Sequence, residues 1–290
     1  MGTAEPPVLL RSALYLPASN PRAIAKAGTL DCDAVILDLE DAVAPEAKAD
    51  ARAAAVAAVR EGGFGHRLLV VRCNPPGTAE GAADLRALAG SPPGAVLVPK
   101  VSDASVLETA RAMLGEGPAL WAMVETPLAL LRLDAICAGG VRHGLAALVM
   151  GTNDLALELR QPSVVGRWNV VAQLLHGLVA ARAHGLAALD GVFNALSDTE
   201  GLARECRQGR DLGFDGKTLI HPSQIAAANA AFAPSEVEIE AAMSLKSAFE
   251  QTENAGKGAI RHEGRMVERL HLVEATRTLA RAAAIARRGG

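Results

Sequence analysis

LWAMVET, residues 120–126, runs five apolar residues directly into a carboxylate, Glu125. Five consecutive apolar residues make a segment that folding buries, and desolvating a charge costs several kcal/mol. A single such junction says little, but this chain repeats it. ALYLP (13–17), AVILDLE (34–40), LLVVRCN (68–74), AVLVPKV (95–101), AALVMGTND (146–154), LAALDGV (186–192) and KTLIHP (217–222) are of the same kind, which makes eight with the first. Each is strand-length and almost continuously hydrophobic, the pattern of parallel strands covered on both faces. Between them lie Ala-rich segments of helix-forming composition, such as PEAKADARAAAVAAVRE (45–61) and DTEGLARECRQGRDLG (198–213). In the second, Asp198 reads as a helix start and Gly213 as its stop. Eight strands alternating with helices predict an α/β fold of the (β/α)8 TIM-barrel type over residues 8–232. A doubly wound open sheet usually carries a Gly-rich phosphate loop after its first strand, and neither G-x-G-x-x-G nor G-x-x-x-x-G-K-[ST] occurs. Residues 233–290 are left over as a C-terminal helical extension. Helical pieces are expected at 235–253 and 268–288, around the Gly-containing stretch 253–266.

Composition narrows the function classes. The 290 residues are 50% hydrophobic and 21% charged, with a net charge of −3, so nothing draws the chain electrostatically to nucleic acid or an anionic membrane. No apolar run reaches the ~18 residues of a membrane span. The start, MGTAEPPVLLRSALYLP, lacks a basic segment followed by a long apolar one, so no secretory leader is expected. Pro6 breaks the myristoylation pattern after Gly2. The cysteines Cys32, Cys73, Cys137 and Cys206 are widely spaced, which argues against a zinc site or a disulfide framework. A cytoplasmic protein is the expectation.

Barrel active sites form at the C-terminal ends of several strands at once. The polar residues there are Ser19 and Asn20; Asp38, Glu40 and Asp41; Arg72 and Asn74; Lys100; Glu125; Asp154; Asp190; and His221. Glu125 and Asp154, on consecutive strands, suit a hard cation with oxygen ligands. Arg72 offers a planar fork for a carboxylate. Metal and arginine together would seat an α-keto acid, polarised at its carbonyl. Lys100 leaves a Schiff-base aldolase open, although an ion pair with Glu40 or Asp41 is the plainer expectation. A basic cluster of Arg11, Arg22, Lys26, Lys48 and Arg52 reads either as a solvated face or as a site for a phosphorylated ligand. Arg22 and Lys26 share one face of a helix at i, i+4.

The segments RSALYLPASNPRAIAKA, DAVILDLEDAVAPEAKADAR, VRCN, VPKV, VETP, GTNDLA, LDGV, GFDGKTLIHPSQI and GRMVERLH, in that order, resemble the citrate lyase beta-chain and malyl-CoA lyase group of the HpcH/HpaI aldolase family. The resemblance runs from about residue 11 to 280, and DLEDAVAPE and IHPSQI are its specific parts. It implies a TIM barrel with a C-terminal helical extension in a homotrimer or hexamer. It implies a carbon–carbon lyase that interconverts a malyl-CoA, citramalyl-CoA or citryl thioester with an acetyl thioester and a keto acid, using Mg2+, with Mn2+ as a substitute. By position it makes Glu125 and Asp154 the metal ligands and Arg72 the carboxylate and oxyanion contact. Arg22, Lys26, Lys48 and Arg52 become the CoA end, and Ile220 and His221 line the substrate side. Asp38, Glu40, Asp41 and Lys100 support the floor. Glu268 becomes the acid/base, reaching a neighbouring subunit's site. The family pattern has Asp followed by Pro where this chain has Glu268 and Arg269, often an acidic residue at Asn153, and often Gly at Ala18. A metal-dependent pyruvate-type aldolase acting without CoA stays open, as does a non-catalytic member that binds acyl-CoA or assembles a complex.

Overall fold

The computed structural model describes residues 8–288. The readings made on Gly2 and Pro6 lie outside the described residues. Two compact units divide the described residues, one spanning Leu10–Phe232 and the other taking in residues 233–288 together with Val8 and Leu9.

The first unit is a closed barrel of eight parallel strands in sequence order. They are β1 (Ser12–Pro17), β2 (Ala34–Asp38), β3 (Leu68–Arg72), β4 (Ala95–Val98), β5 (Ala119–Val124), β6 (Leu145–Met150), β7 (Ala187–Asp190) and β8 (Gly216–Leu219), and β1 pairs with β8 to close the ring. Every one of the eight apolar runs is a strand. The surrounding helices are α1 (Pro21–Ala27), α2 (Lys48–Glu61), α3 (Ala79–Ala89), α4 (Ala104–Leu114), α5 (Pro127–Leu131), α6 (Leu133–Val141), α7 (Thr152–Glu158), α8 (Val171–Ala183), α9 (Thr199–Leu212) and α10 (Ile225–Phe232). Local chemistry sets their ends. The Asp198 side chain accepts from the Gly201 N–H at 2.7 Å to start α9, and Gly213 ends it in the left-handed region at φ 110°.

Two cores follow from the two-residue period of a strand. Ala13, Ile36, Val70, Leu97, Trp121, Met123, Val149 and Leu189 fill the barrel interior. Val35, Leu37, Val71, Val96, Val98, Leu120, Val124 and Leu148 point outward and are buried against the helices. Among the described residues no helix is long and apolar enough to cross a membrane.

The second unit departs from expectation. Its helices α11 (Glu236–Glu250) and α12 (Arg269–Ala286) fall where helices were expected and pack against each other. The stretch between them is not merely a Gly-containing connection. It forms an antiparallel hairpin of β9 (Ala259–His262) and β10 (Arg265–Glu268). Glu263 and Gly264, with φ 46° and 77°, form its two-residue loop, the left-handed pair that matches strand twist in tight hairpins.

Candidate active site at the C-terminal barrel face

The same period decides which strand-end residues meet. In β2, Ala34 and Ile36 face inward, so Asp38 does too; in β3, Val70 carries Arg72 inward. The two are register partners on neighbouring strands. Arg72 donates from Nε to Asp38 Oδ1 at 2.7 Å and from Nη2 to Asp38 Oδ2 at 2.6 Å, a bidentate pair. Its Nη1 lies 2.9 Å from Glu40 Oε2 and 3.1 Å from Asp41 Oδ2. The guanidinium carbon stands 4.9 Å from the centroid of the Tyr15 ring. Burial of Arg72 opposes its charge, but these carboxylates outweigh it and raise its pKa further. Burial pushes Glu40 up to about 8, against the pull of Arg72.

On β5, Trp121 and Met123 face inward, and so does Glu125 one step past the strand. Glu125 is fully buried, and burial raises its pKa. It packs so closely under the end of β6 that a Cβ on Gly151 would stand 2.4 Å from Glu125 Cβ, which only glycine avoids. Glu125 Oε1 accepts from the Lys100 N–H at 2.5 Å, while Oε2 has no hydrogen-bond partner. Asp154, in the first turn of α7, is half-buried and takes the Lys100 ammonium, which also stands 3.6 Å from Glu125 Oε2. Lys100 therefore pairs with Glu125 and Asp154, not with Glu40 or Asp41 as expected. Arg72 already pairs with that acidic cluster from the centre of the barrel.

A cavity of about 280 Å3 opens over this floor, lined by Tyr15, Asp38, Asp41, Arg72, Met123, Thr152, Asn153, Asp154, Thr218 and Ile220, among others. A second cavity of about 730 Å3 adjoins it and shares Thr152, Asn153 and Val192. The donor set fits a hard divalent cation. Glu125 Oε2 is an orphaned buried oxygen, Asp154 is the second carboxylate, and a positive charge already bridges them.

Several expected site residues are placed differently. Leu189 faces inward, so Asp190 faces the helices. There it accepts from Arg167 at 2.6 and 2.8 Å and from Lys217 at 3.1 Å, with Glu205 2.7 Å from Lys217. Asp190 is a buried structural ion, and its pKa is lowered because Lys217 and Arg167 outweigh its burial. His221 is exposed, and its Nδ1 lies 2.8 Å from Ser223 Oγ, so of the expected pair only Ile220 lines the cavity. The Lys48 ammonium donates to the carbonyls of Leu39 and Glu40, both at 3.0 Å, and to Asn74 Oδ1 at 2.6 Å. Arg52 is paired with Glu80 and with Asp84. These two cations brace the strand ends instead of presenting themselves to a ligand, whereas Arg22 and Lys26 are exposed on α1. The Arg72 fork is narrower than expected, since Asp38 closes its Nε/Nη2 edge. Glu268 is exposed at the start of α12, and its N–H donates to His271 Nδ1 at 2.9 Å. Tyr15, Met123 and Thr218 were not singled out from the sequence. Tyr15 and Met123 lie against Arg72, and Thr218 Oγ1 donates to the Asp190 carbonyl at 3.0 Å.

A family model described as HpcH/HpaI aldolase/citrate lyase matches residues 11–222. A protein of Cereibacter sphaeroides named (3S)-malyl-CoA thioesterase is 49% identical, over 95% of this chain and 95% of its own. The human mitochondrial citramalyl-CoA lyase is 31% identical over 95% of this chain and 86% of its own. A crystal structure of protein CitE from Mycobacterium tuberculosis in complex with magnesium, acetoacetate and coenzyme A superposes with a TM-score of 0.76 at 33% identity, covering 94% of this chain and 97% of that one.

Proposed function

This chain belongs to the HpcH/HpaI aldolase/citrate lyase family, and from that premise we propose that it is a Mg2+-dependent enzyme that hydrolyses a malyl-CoA-type thioester to the hydroxy acid and CoA. The observation that carries this reading is the 49% identity to a malyl-CoA thioesterase along nearly the whole of both chains. The lyase reading, which cleaves the same substrate class into acetyl-CoA and a keto acid, is favoured by the identity to citramalyl-CoA lyase and by the CitE complex. Both reactions need the same seat.

Glu125 and Asp154 would hold the metal. Mg2+, or Mn2+ in its place, would supply Lewis-acid polarisation of a substrate oxygen there. The residues of the chain do the rest. Arg72, held rigid by Asp38, takes the substrate's free carboxylate at Nη1, where that carboxylate replaces the exposed Asp41 carboxylate. Tyr15 and Met123 make the wall that limits the acyl group. Arg22 and Lys26 take the CoA phosphates. Glu268 serves as general base, in a homotrimer or hexamer whose C-terminal units (233–290) reach neighbouring sites. In hydrolysis it takes the proton of a water molecule whose oxygen attacks the thioester carbon. The C–S bond breaks, and the thiolate leaves as CoA and is protonated. In C–C cleavage the same carboxylate takes the proton of the substrate hydroxyl as the C–C bond breaks to the keto acid, and returns it to the leaving enolate carbon.

The test uses (3S)-malyl-CoA with purified protein, with Mg2+ and again with EDTA. Hydrolysis releases a free thiol and malate; cleavage releases glyoxylate and acetyl-CoA with no free thiol. Metal-dependent thiol release is expected. Glyoxylate without thiol would install the lyase reading instead. Neither product, from protein shown to bind Mg2+, would remove both.

A further inference from the structure

Lys100 is one of four non-glycine residues with positive φ among the described residues, at 52°. Such a conformation is disfavoured for a side-chain-bearing residue and persists where surrounding contacts enforce it. Here the contacts are visible. The turned backbone aims the Lys100 N–H at Glu125 Oε1, at 2.5 Å, and sends the side chain back across the strand ends to Asp154. The ammonium stands between the two carboxylates, bonded to Asp154 and 3.6 Å from Glu125 Oε2. One carboxylate oxygen of Glu125 is thus fixed by backbone, and the other has no hydrogen-bond partner and faces the lysine charge. Asp154 lines the cavity, while Glu125 does not. The Lys100 side chain is 35% exposed on a flexible four-carbon stem, so its head has a path to water.

We propose that the Lys100 ammonium is a resident placeholder for the divalent cation. It neutralises Glu125 and Asp154 until metal arrives, then swings out to solvent, while its backbone N–H keeps Glu125 Oε1 in place and leaves Oε2 to the metal. This rests on the assignment of Glu125 and Asp154 to the metal. The physical reason is exclusion. An ion coordinated by both carboxylates fills the space the ammonium holds, and two cations at that separation repel. The carboxylates then exchange one partner for another without ever being left as unpaired buried charges, the costly alternative.

The test reads the lysine directly. Amine acetylation of the wild-type protein is followed at Lys100 by mass spectrometry, in EDTA and in saturating Mn2+, with exposed Lys26 as the internal reference. Bound Mn2+ is counted by electron paramagnetic resonance. A partly exposed ion pair of up to ~1 kcal/mol corresponds to about fivefold protection, so the Lys100 rate should rise about fivefold when Mn2+ binds. Lys100→Met should bind Mn2+ about fivefold tighter and melt lower than wild type in EDTA, yet melt with wild type once loaded. Bound Mn2+ with Lys100 still shielded would overturn the proposal. So would a loaded Lys100→Met protein that stays as far below wild type as in EDTA, because the lysine would then keep its bond to Asp154 beside the metal. If wild-type protein binds no Mn2+, the metal assignment falls and takes this inference with it.

Discussion

Replacing Arg72 by Met keeps an unbranched apolar stem and removes the guanidinium with its charge. Asp38, 1% exposed, then loses both arms of its bidentate partner. Removing one member of a buried ion pair costs ~3–5 kcal/mol. Two features place the cost near the lower end. Asp38 keeps hydrogen bonds from the Glu40 and Ala42 N–H groups, at 2.9 and 3.0 Å. Glu40, pushed up to about 8 by burial, holds its proton at pH 7 and leaves no second buried charge there. Asp41 is exposed and adds nothing. At about 3 kcal/mol, with 2–4 °C per kcal/mol for a unit of this size, the melting temperature should fall by about 6–12 °C at pH 7. Adding Asp38→Asn removes the orphaned charge, so the double variant should be more stable than Arg72→Met, with a coupling energy of about 2 kcal/mol. Turnover behaves differently. Both proteins lacking Arg72 should hydrolyse malyl-CoA at least ~100-fold more slowly. Strictly additive melting temperatures, or a fall below about 2 °C for Arg72→Met, would refute the claim that Arg72 is the counterion of a buried Asp38. Wild-type turnover in the double variant would refute its role at the substrate.

Four further outcomes are expected. Glu40, at about 8 when folded against an ordinary 4.5, holds a proton in the native state that the unfolded chain releases earlier. Its contribution is therefore full below about pH 4.5 and is lost as pH rises to 8, at up to ~1.4 kcal/mol per pH unit; Glu40→Gln should lack that slope in calorimetric pH profiles. Gly151→Ala puts a Cβ 2.4 Å from Glu125 Cβ and should cost ~1–3 kcal/mol and weaken Mn2+ binding, both measurable by melting with and without metal. Lys217→Met removes a fully buried ammonium from Asp190 and Glu205, outside the barrel interior; it should melt about 6–12 °C lower yet keep the KM for malyl-CoA. Glu268→Gln, at an exposed position, should leave the melting temperature within about 2 °C and slow turnover ~100- to 10,000-fold.

The barrel was legible because each buried parallel strand announces itself as an apolar run. Where those runs end is also where charge appears. What could not be read from the run ends alone is the parity of each charge. Asp38, Arg72 and Glu125 lie an even number of residues from inward Ile36, Val70 and Met123, so they converge on the axis. Asp190 lies one residue from inward Leu189 and is carried to the opposite face, where the chain meets it with Arg167 and Lys217. The two acidic positions look alike in sequence. One residue of phase makes the first part of a site and the second part of a wall. Lys100 escaped the parity rule because it lies beyond the strand: two residues past outward-facing Val98, it is brought to Asp154 by a left-handed turn unmarked by glycine. The hairpin at 259–268 escaped for a related reason. Its loop is Glu263–Gly264, and a left-handed Glu is not the Asn or Asp that usually signals such a turn. In both places the backbone adopts a conformation its residue type disfavours, and a residue-by-residue reading assumes the favoured one. The positions hardest to read are thus ones where tertiary contacts hold the chain against its local preference. At Lys100 those contacts are the very carboxylates that make up the candidate metal seat.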